Sequence, residues 1–112
     1  MSAIKSIIKC LDDKSAQDIV VMDLRQVSPF MDYMVVASVS NTRLLHSLAT
    51  YVMEELEKNN IIYSPMEGNQ NSDWLLIDGK EMVISLFLES SRNIYQLERL
   101  WGDYIVDINA LE

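Results

Sequence analysis

The sequence predicts a small α/β domain in which a mixed sheet is flanked by helices, and three observations carry that class. Apolar residues recur at helical spacing near the start of the chain and again between Leu45 and Leu56. β-Branched runs of strand length lie between and after them. Breakers are scarce, with three glycines and two prolines in 112 residues. A chain of this length with 49% hydrophobic residues is expected to fold as one domain over residues 1–112, burying a core that needs no disulfide or metal staple.

Ile4, Ile7, Ile8 and Leu11 fall at i, i+3, i+4 and i+7 and predict an amphipathic helix ending near Asp12. Asp18-Ile19-Val20-Val21-Met22-Asp23-Leu24 is a β-branched run between carboxylates, as in a strand covered on both faces. Ser28-Pro29 breaks it, and Tyr33 to Val39 forms a second strand, close enough in sequence to pair antiparallel with the first. Ser40-Asn41-Thr42 supplies cap side chains for a long helix whose buried face is Leu45, Leu48, Val52 and Leu56, running to about Asn59. Ile61-Ile62-Tyr63 predicts a third strand, and a loop containing Pro65 and Gly68 follows it through Ser72. Trp74 to Ile77 and Met82 to Leu88 flank Asp78-Gly79, the strongest hairpin signal in the chain. A closing helix is predicted next, capped by Ser90 or Ser91. Ile94, Leu97 and Trp101 form its buried stripe, Tyr95, Glu98 and Arg99 lie beside or across from it, and Gly102 ends it. The order is α-β-β-α-β-β-β-α, with residues 104–112 apolar enough to dock on the body.

Seventeen acidic residues against nine basic ones leave a net charge of −8, which disfavours direct contact with DNA or RNA phosphates or anionic lipid and suits a basic protein surface. No apolar run approaches the ~20 residues of a membrane span, and no signal-peptide pattern opens the chain, so a cytoplasmic location is expected. Cys10 is alone, which excludes an intramolecular bridge and a cysteine-based zinc site.

No residues suited to catalysis or cofactor binding stand out. His46, the one histidine, lies within the long helix, and Cys10 borders the first helix's apolar stripe as a structural thiol. Neither phosphate-loop pattern, G-x-x-x-x-G-K-[ST] or G-x-G-x-x-G, is present. A minimal nucleotidyltransferase shares this α/β order, but needs two carboxylates one residue apart on a strand to hold Mg²⁺. The candidate here is Asp23-Leu24-Arg25, with arginine in place of the second acid, so the topology is nucleotidyltransferase-like without its catalytic acids.

The features suited to binding gather at the hairpin. Alternation puts Trp74, Leu76 and Asp78 on one strand face and Leu75 and Ile77 on the other, and a face holding an indole and an acid is not all core. The plain alternative is that Trp74 packs under the closing helix. Glu67, Asp73, Asp78, Glu81 and Glu89 surround this segment in sequence with only Lys80 to offset them, a pattern that suits a cationic partner as well as simple solvation. Trp74, Leu76, Asp78, Glu81, Glu67, Asp73, Tyr95, Glu98 and Arg99 are the candidate partner-binding residues.

Read in order, Asp18-Ile19 with Asp23, Ser28 with Asp32-Tyr33, Ala37-Ser38 with Arg43, Glu67-Gly68, Trp74 to Asp78, and Tyr95 with Leu97 to Asp103 resemble the pattern of the ribosomal silencing factor family, also called RsfS or Iojap. The chain departs from that pattern at Gly79-Lys80-Glu81, where an aromatic-glycine-acid turn is common, at Ser85, where a histidine is common, and at Val39, which replaces a usual glycine. The resemblance implies a noncatalytic factor without a cofactor. Such a factor binds the large ribosomal subunit through its ribosomal protein fourteen, at the face that meets the small subunit, and silences translation under starvation by blocking subunit joining. It also implies a homodimer when free, and, as a companion role, large-subunit assembly. A divergent nucleotidyltransferase and a self-associating module without a ribosomal partner are the competing readings.

Overall fold

A computed structural model describes residues 2–29, 32–67, 74–79, 82–90 and 105–106. Their elements are α1 (Ser2–Asp13), β1 (Gln17–Asp23), β2 (Tyr33–Val39), α2 (Thr42–Lys58), β3 (Ser64–Glu67), β4 (Trp74–Asp78), β5 (Met82–Leu88) and β6 (Ile105–Val106). The strands form one mixed sheet in the order β3-β4-β5-β2-β1-β6, in which β2 and β5 are parallel and every other pair is antiparallel. The predicted α/β class with a mixed sheet is what forms, and β1 pairs antiparallel with β2 as expected. Of the closing helix expected from Ser90 or Ser91 to Gly102, only Ser90 is among the described residues, and it is helical; the rest lies outside them.

Both helices among the described residues lie on one side of the sheet. Ile4, Ile7, Ile8 and Leu11 of α1 and Leu45, Leu48, Ala49, Val52 and Leu56 of α2 share a core with Val21, Val35, Ala37, Ile77, Ile84 and Leu86. The alternate strand residues Met22, Met34, Val36 and Phe87, with Leu24 just past β1, form a second buried cluster on the opposite face. Period-two alternation therefore delivers two separate apolar surfaces from the same strands, which explains why β2 is buried at every position.

The two helices end the same way. After α1, Ser15 takes φ 67°, its N–H donates to the Asp12 carbonyl and the Ala16 N–H donates to the Leu11 carbonyl at 2.9 Å. After α2, Asn60 takes φ 60°, its N–H donates to Glu57 and the Ile61 N–H donates to Leu56 at 2.9 Å. These are Schellman closures with serine and asparagine in the left-handed position that usually takes glycine. Asn41 begins α2, its side-chain oxygen accepting from the Leu44 N–H at 2.9 Å.

The third strand is not where the sequence put it. Ile61-Ile62-Tyr63 is irregular and the strand is Ser64–Glu67, so Pro65 lies in a strand and not in a loop. Asn60 and Ile61 complete the α2 closure, and Ile61 packs into the helix-side core while Ile62 is 71% exposed. The Tyr63 hydroxyl reaches back to donate to Glu57 Oε2 at 2.6 Å. A proline is tolerated because β3 is an edge strand, paired on one side only among the described residues.

The hairpin forms, but the glycine serves a different purpose from the one its motif suggests. Asp78 is the last residue of β4, and the Gly79 N–H donates to the Met82 carbonyl at 2.9 Å. Gly79 has no positive φ; a Cβ there would sit 3.1 Å from the Met82 carbonyl oxygen, 3.4 Å from Ile61 Cγ2 and 3.7 Å from Leu56 Cδ2. Space, not backbone conformation, selects glycine. Gly79→Ala is expected to cost about 1 kcal/mol or more, because the tightest neighbour is backbone that the turn holds in place. Chemical denaturation of the variant measures it.

Candidate functional site

The hairpin registers β4 against β5 so that Trp74 faces Phe87, Leu76 faces Ser85 and Asp78 faces Val83. Leu75 and Ile77 turn toward the helices. Trp74 packs against the cluster of Met22, Leu24, Met34, Val36 and Phe87 on the other side. The sequence-derived division of the strand into two faces therefore holds. Trp74, Leu76 and Asp78 are each half-buried, so this side presents an aromatic, an aliphatic and an acidic group in a row, without a fully solvated or fully enclosed member. Ser85, beside Leu76, is buried, and its Oγ has no hydrogen-bond partner among the described residues.

Register also places the backbone of Glu67 opposite Leu76 and that of Ser64 opposite Asp78. Of the candidate partner-binding residues, Trp74, Leu76 and Asp78 are thus brought together, with Glu67 on the adjoining edge strand. Asp73, Glu81, Tyr95, Glu98 and Arg99 lie outside the described residues.

At the far end of β1, the residue pair weighed as a metal site has a different chemistry. Arg25 donates from Nε to Asp23 Oδ1 at 2.9 Å and from Nη2 to Oδ2 at 2.7 Å, and its backbone N–H also donates to Oδ1. The guanidinium lies over the Tyr33 ring, 5.3 Å from its centroid. Both carboxylate oxygens are engaged by this fork, in the place where a nucleotidyltransferase would present a second acid. Hydrogen bonding from Arg25 holds the Asp23 carboxyl below the usual carboxylate range. A carboxyl whose folded pKa is depressed adds stability above its unfolded pKa, and that contribution is lost as pH falls through the folded value, below about pH 4. Arg25→Gln is therefore expected to move the Asp23 titration up toward its ordinary value, as carboxyl-carbon NMR would record.

Cys10 is buried, and burial, then Glu55, pushes its thiol above the ordinary range, the opposite of what a nucleophile requires. No helix among the described residues is long and apolar enough to cross a membrane.

One feature of the surface escaped the sequence reading. A cleft of about 450 Å³ is lined by Lys14 from the α1–β1 turn and by Arg43, Leu44, Ser47, Leu48 and Tyr51 of α2. Leu44 and Tyr51 stand at i and i+7 beside the core-facing stripe, which contributes Leu48 to the lining, and this spacing was the available signal.

The fold is that of a small mixed-sheet α/β domain, with a half-buried aromatic-acidic strand face and with Asp23 at the end of β1 tied up by Arg25. The family model described as "Ribosomal silencing factor during starvation" matches residues 1–112, and the chain belongs to that family. It is 32% identical over 103 residues to the ribosomal silencing factor RsfS of Bacillus subtilis, covering 88% of this chain and 87% of that protein. It is 34% identical over 101 residues to the mouse protein named "Mitochondrial assembly of ribosomal large subunit protein 1", covering 88% of this chain but only 44% of the mouse protein. A crystal structure of a protein from Chromobacterium violaceum superposes with a TM-score of 0.84 at 28% identity, covering 90% of this chain and 84% of that one.

Proposed function

We propose that this protein binds the large ribosomal subunit through its ribosomal protein fourteen, at the face that meets the small subunit, and silences translation by occupying the space the small subunit must enter. Nutrient limitation is when this matters, as the family description indicates. The observation that carries the reading is the row Trp74, Leu76 and Asp78 on one half-buried strand face. An indole already held by packing against the cluster that contains Met34 and Phe87 gives up little conformational entropy on binding, which is what an interface anchor requires. Asp78 on the same face, and the acids that flank this segment in sequence, suit a lysine- and arginine-rich partner.

The mechanism is steric and needs no bond making or breaking. The fork between Arg25 and Asp23 supports that view, since it satisfies the carboxylate a metal-dependent transferase would need. A second reading is large-subunit assembly, favoured by the name of the mouse relative.

Co-sedimentation of the protein with purified large subunits, followed by addition of small subunits, tests the proposal. The protein is expected in the large-subunit fraction, with fewer joined ribosomes in its presence. Its recovery only at the top of the gradient would overturn binding, and undiminished joining would overturn the blocking mechanism in favour of assembly. With a net charge of −8 meeting a basic surface, association should also slow as salt rises, because screening shortens the reach of the attraction to about 8 Å at physiological ionic strength. Stopped-flow association rates across a salt series read this out.

A further inference from the structure

The cleft between the α1–β1 turn and the start of α2 lies on the helix side of the sheet, away from Trp74, so the ribosomal reading does not use it. Its lining contains two cations, Lys14 and Arg43, and no carboxylate, on a chain whose net charge is −8. Neither cation forms an ion pair among the described residues. Between them, Leu44 and Tyr51 stand 40% and 42% exposed, an unusual cost for large apolar side chains on one helix face. The positive end of the α2 dipole opens beside Arg43, adding a third favourable term for negative charge. We propose that this cleft is a second docking site, and that its occupant is an acidic-apolar segment of a partner protein, with a leucine-sized side chain set between carboxylates.

Charge and shape select that occupant over others. The Lys14 ammonium sits 4.0 Å from the centroid of the Tyr51 ring, so the aromatic face on which an RNA base would stack is already covered by a cation. The overall negative charge repels a polyanion at long range but tolerates a few carboxylates held by local cations. A second copy of this chain would bring another charge of −8 with it. An apolar side chain from a peptide covers Leu44 beside Tyr51, while its flanking carboxylates reach Arg43 on one side and Lys14 on the other. Lying on the opposite side of the sheet from Trp74, the cleft can be filled while that strand face is engaged. The protein is then able to hold two partners at once.

NMR titration of the full chain with a synthetic peptide of about twelve residues, carrying a leucine pair between runs of aspartate, tests the site. Saturable amide shifts are expected at Ser47 and Tyr51. Affinity should fall at least about tenfold when Lys14→Glu and Arg43→Glu are combined, and should persist in Trp74→Ala. Both charge reversals are on exposed side chains, and an acid in the first turn of α2 suits the dipole, so the doubly substituted protein should fold; circular dichroism checks this. Four outcomes would overturn the proposal: no shift at millimolar peptide, equal binding of a peptide with lysine runs, the same shifts from an oligouridylate and not from the aspartate peptide, or the same shifts on raising protein concentration alone. Because the peptide assay contains no ribosome, its failure would leave the ribosomal reading standing.

Discussion

Trp74→Ala is expected to weaken binding to the ribosomal protein by about 2 kcal/mol or more, roughly thirtyfold in Kd. The indole is half-buried and packs against the cluster of Met22, Leu24, Met34, Val36 and Phe87, and in the proposed complex its outer edge meets the partner. Truncation therefore acts twice. Loss of the inner contacts lowers stability, and loss of the outer edge lowers affinity. Thermal unfolding reports the first effect, and calorimetric titration of the still-folded variant, well below its melting temperature, reports the second. An unchanged Kd would remove Trp74 from the interface and leave it as the packing residue that the plain sequence alternative describes. Ile77→Val provides a contrast, since Ile77 occupies the helix-facing side of the same strand; it should cost stability without a comparable loss of affinity.

Much of this architecture was legible because periodicity survives folding unchanged. Ile4 to Leu11 and Leu45 to Leu56 declared two helices, and Tyr33 to Val39 declared a strand with the bounds it takes in the structure. Composition misled where a residue's task was set by its neighbours in space. Ile61-Ile62-Tyr63 has strand composition, but Asn60 adopts φ 60° to end α2 and commits Ile61 to that closure, which delays the strand to Ser64. Pro65 reads as a breaker, and only its place in an edge strand makes it acceptable. At the candidate site, the facing of Trp74, Leu76 and Asp78 followed from alternation alone. The fork from Arg25 to Asp23 was half-legible, since the missing second acid could be read but the geometry that ties up the first could not. The cleft was not legible as a site at all. Lys14 and Tyr51 are distant in sequence and meet only because α1 packs along α2.

Leu56→Ala should give the largest loss of stability, about 2–5 kcal/mol. Leu56 is fully buried and belongs to three structures at once. Its carbonyl accepts the Ile61 N–H that closes α2, its side chain belongs to the helix-side core, and its Cδ2 lies 3.7 Å from where a Cβ on Gly79 would stand. It therefore joins the end of α2 to the turn of the hairpin whose first strand carries Trp74. The neighbours are poorly able to collapse into the space it leaves, because Gly79 contributes no side chain and Ile61 is fixed by the Schellman closure. The expected result is a fall in melting temperature of roughly 10 °C or more for a domain of this size. A second effect should accompany it: hydrogen exchange of the Gly79 amide, which donates to Met82, is expected to accelerate more than that of Leu45 at the start of α2. Uniform acceleration of both would mean that Leu56 contributes only to global stability. A preferential effect at Gly79 would show that α2 holds the hairpin in place, and that rigidity at the Trp74 face depends on a side chain on the other side of the sheet.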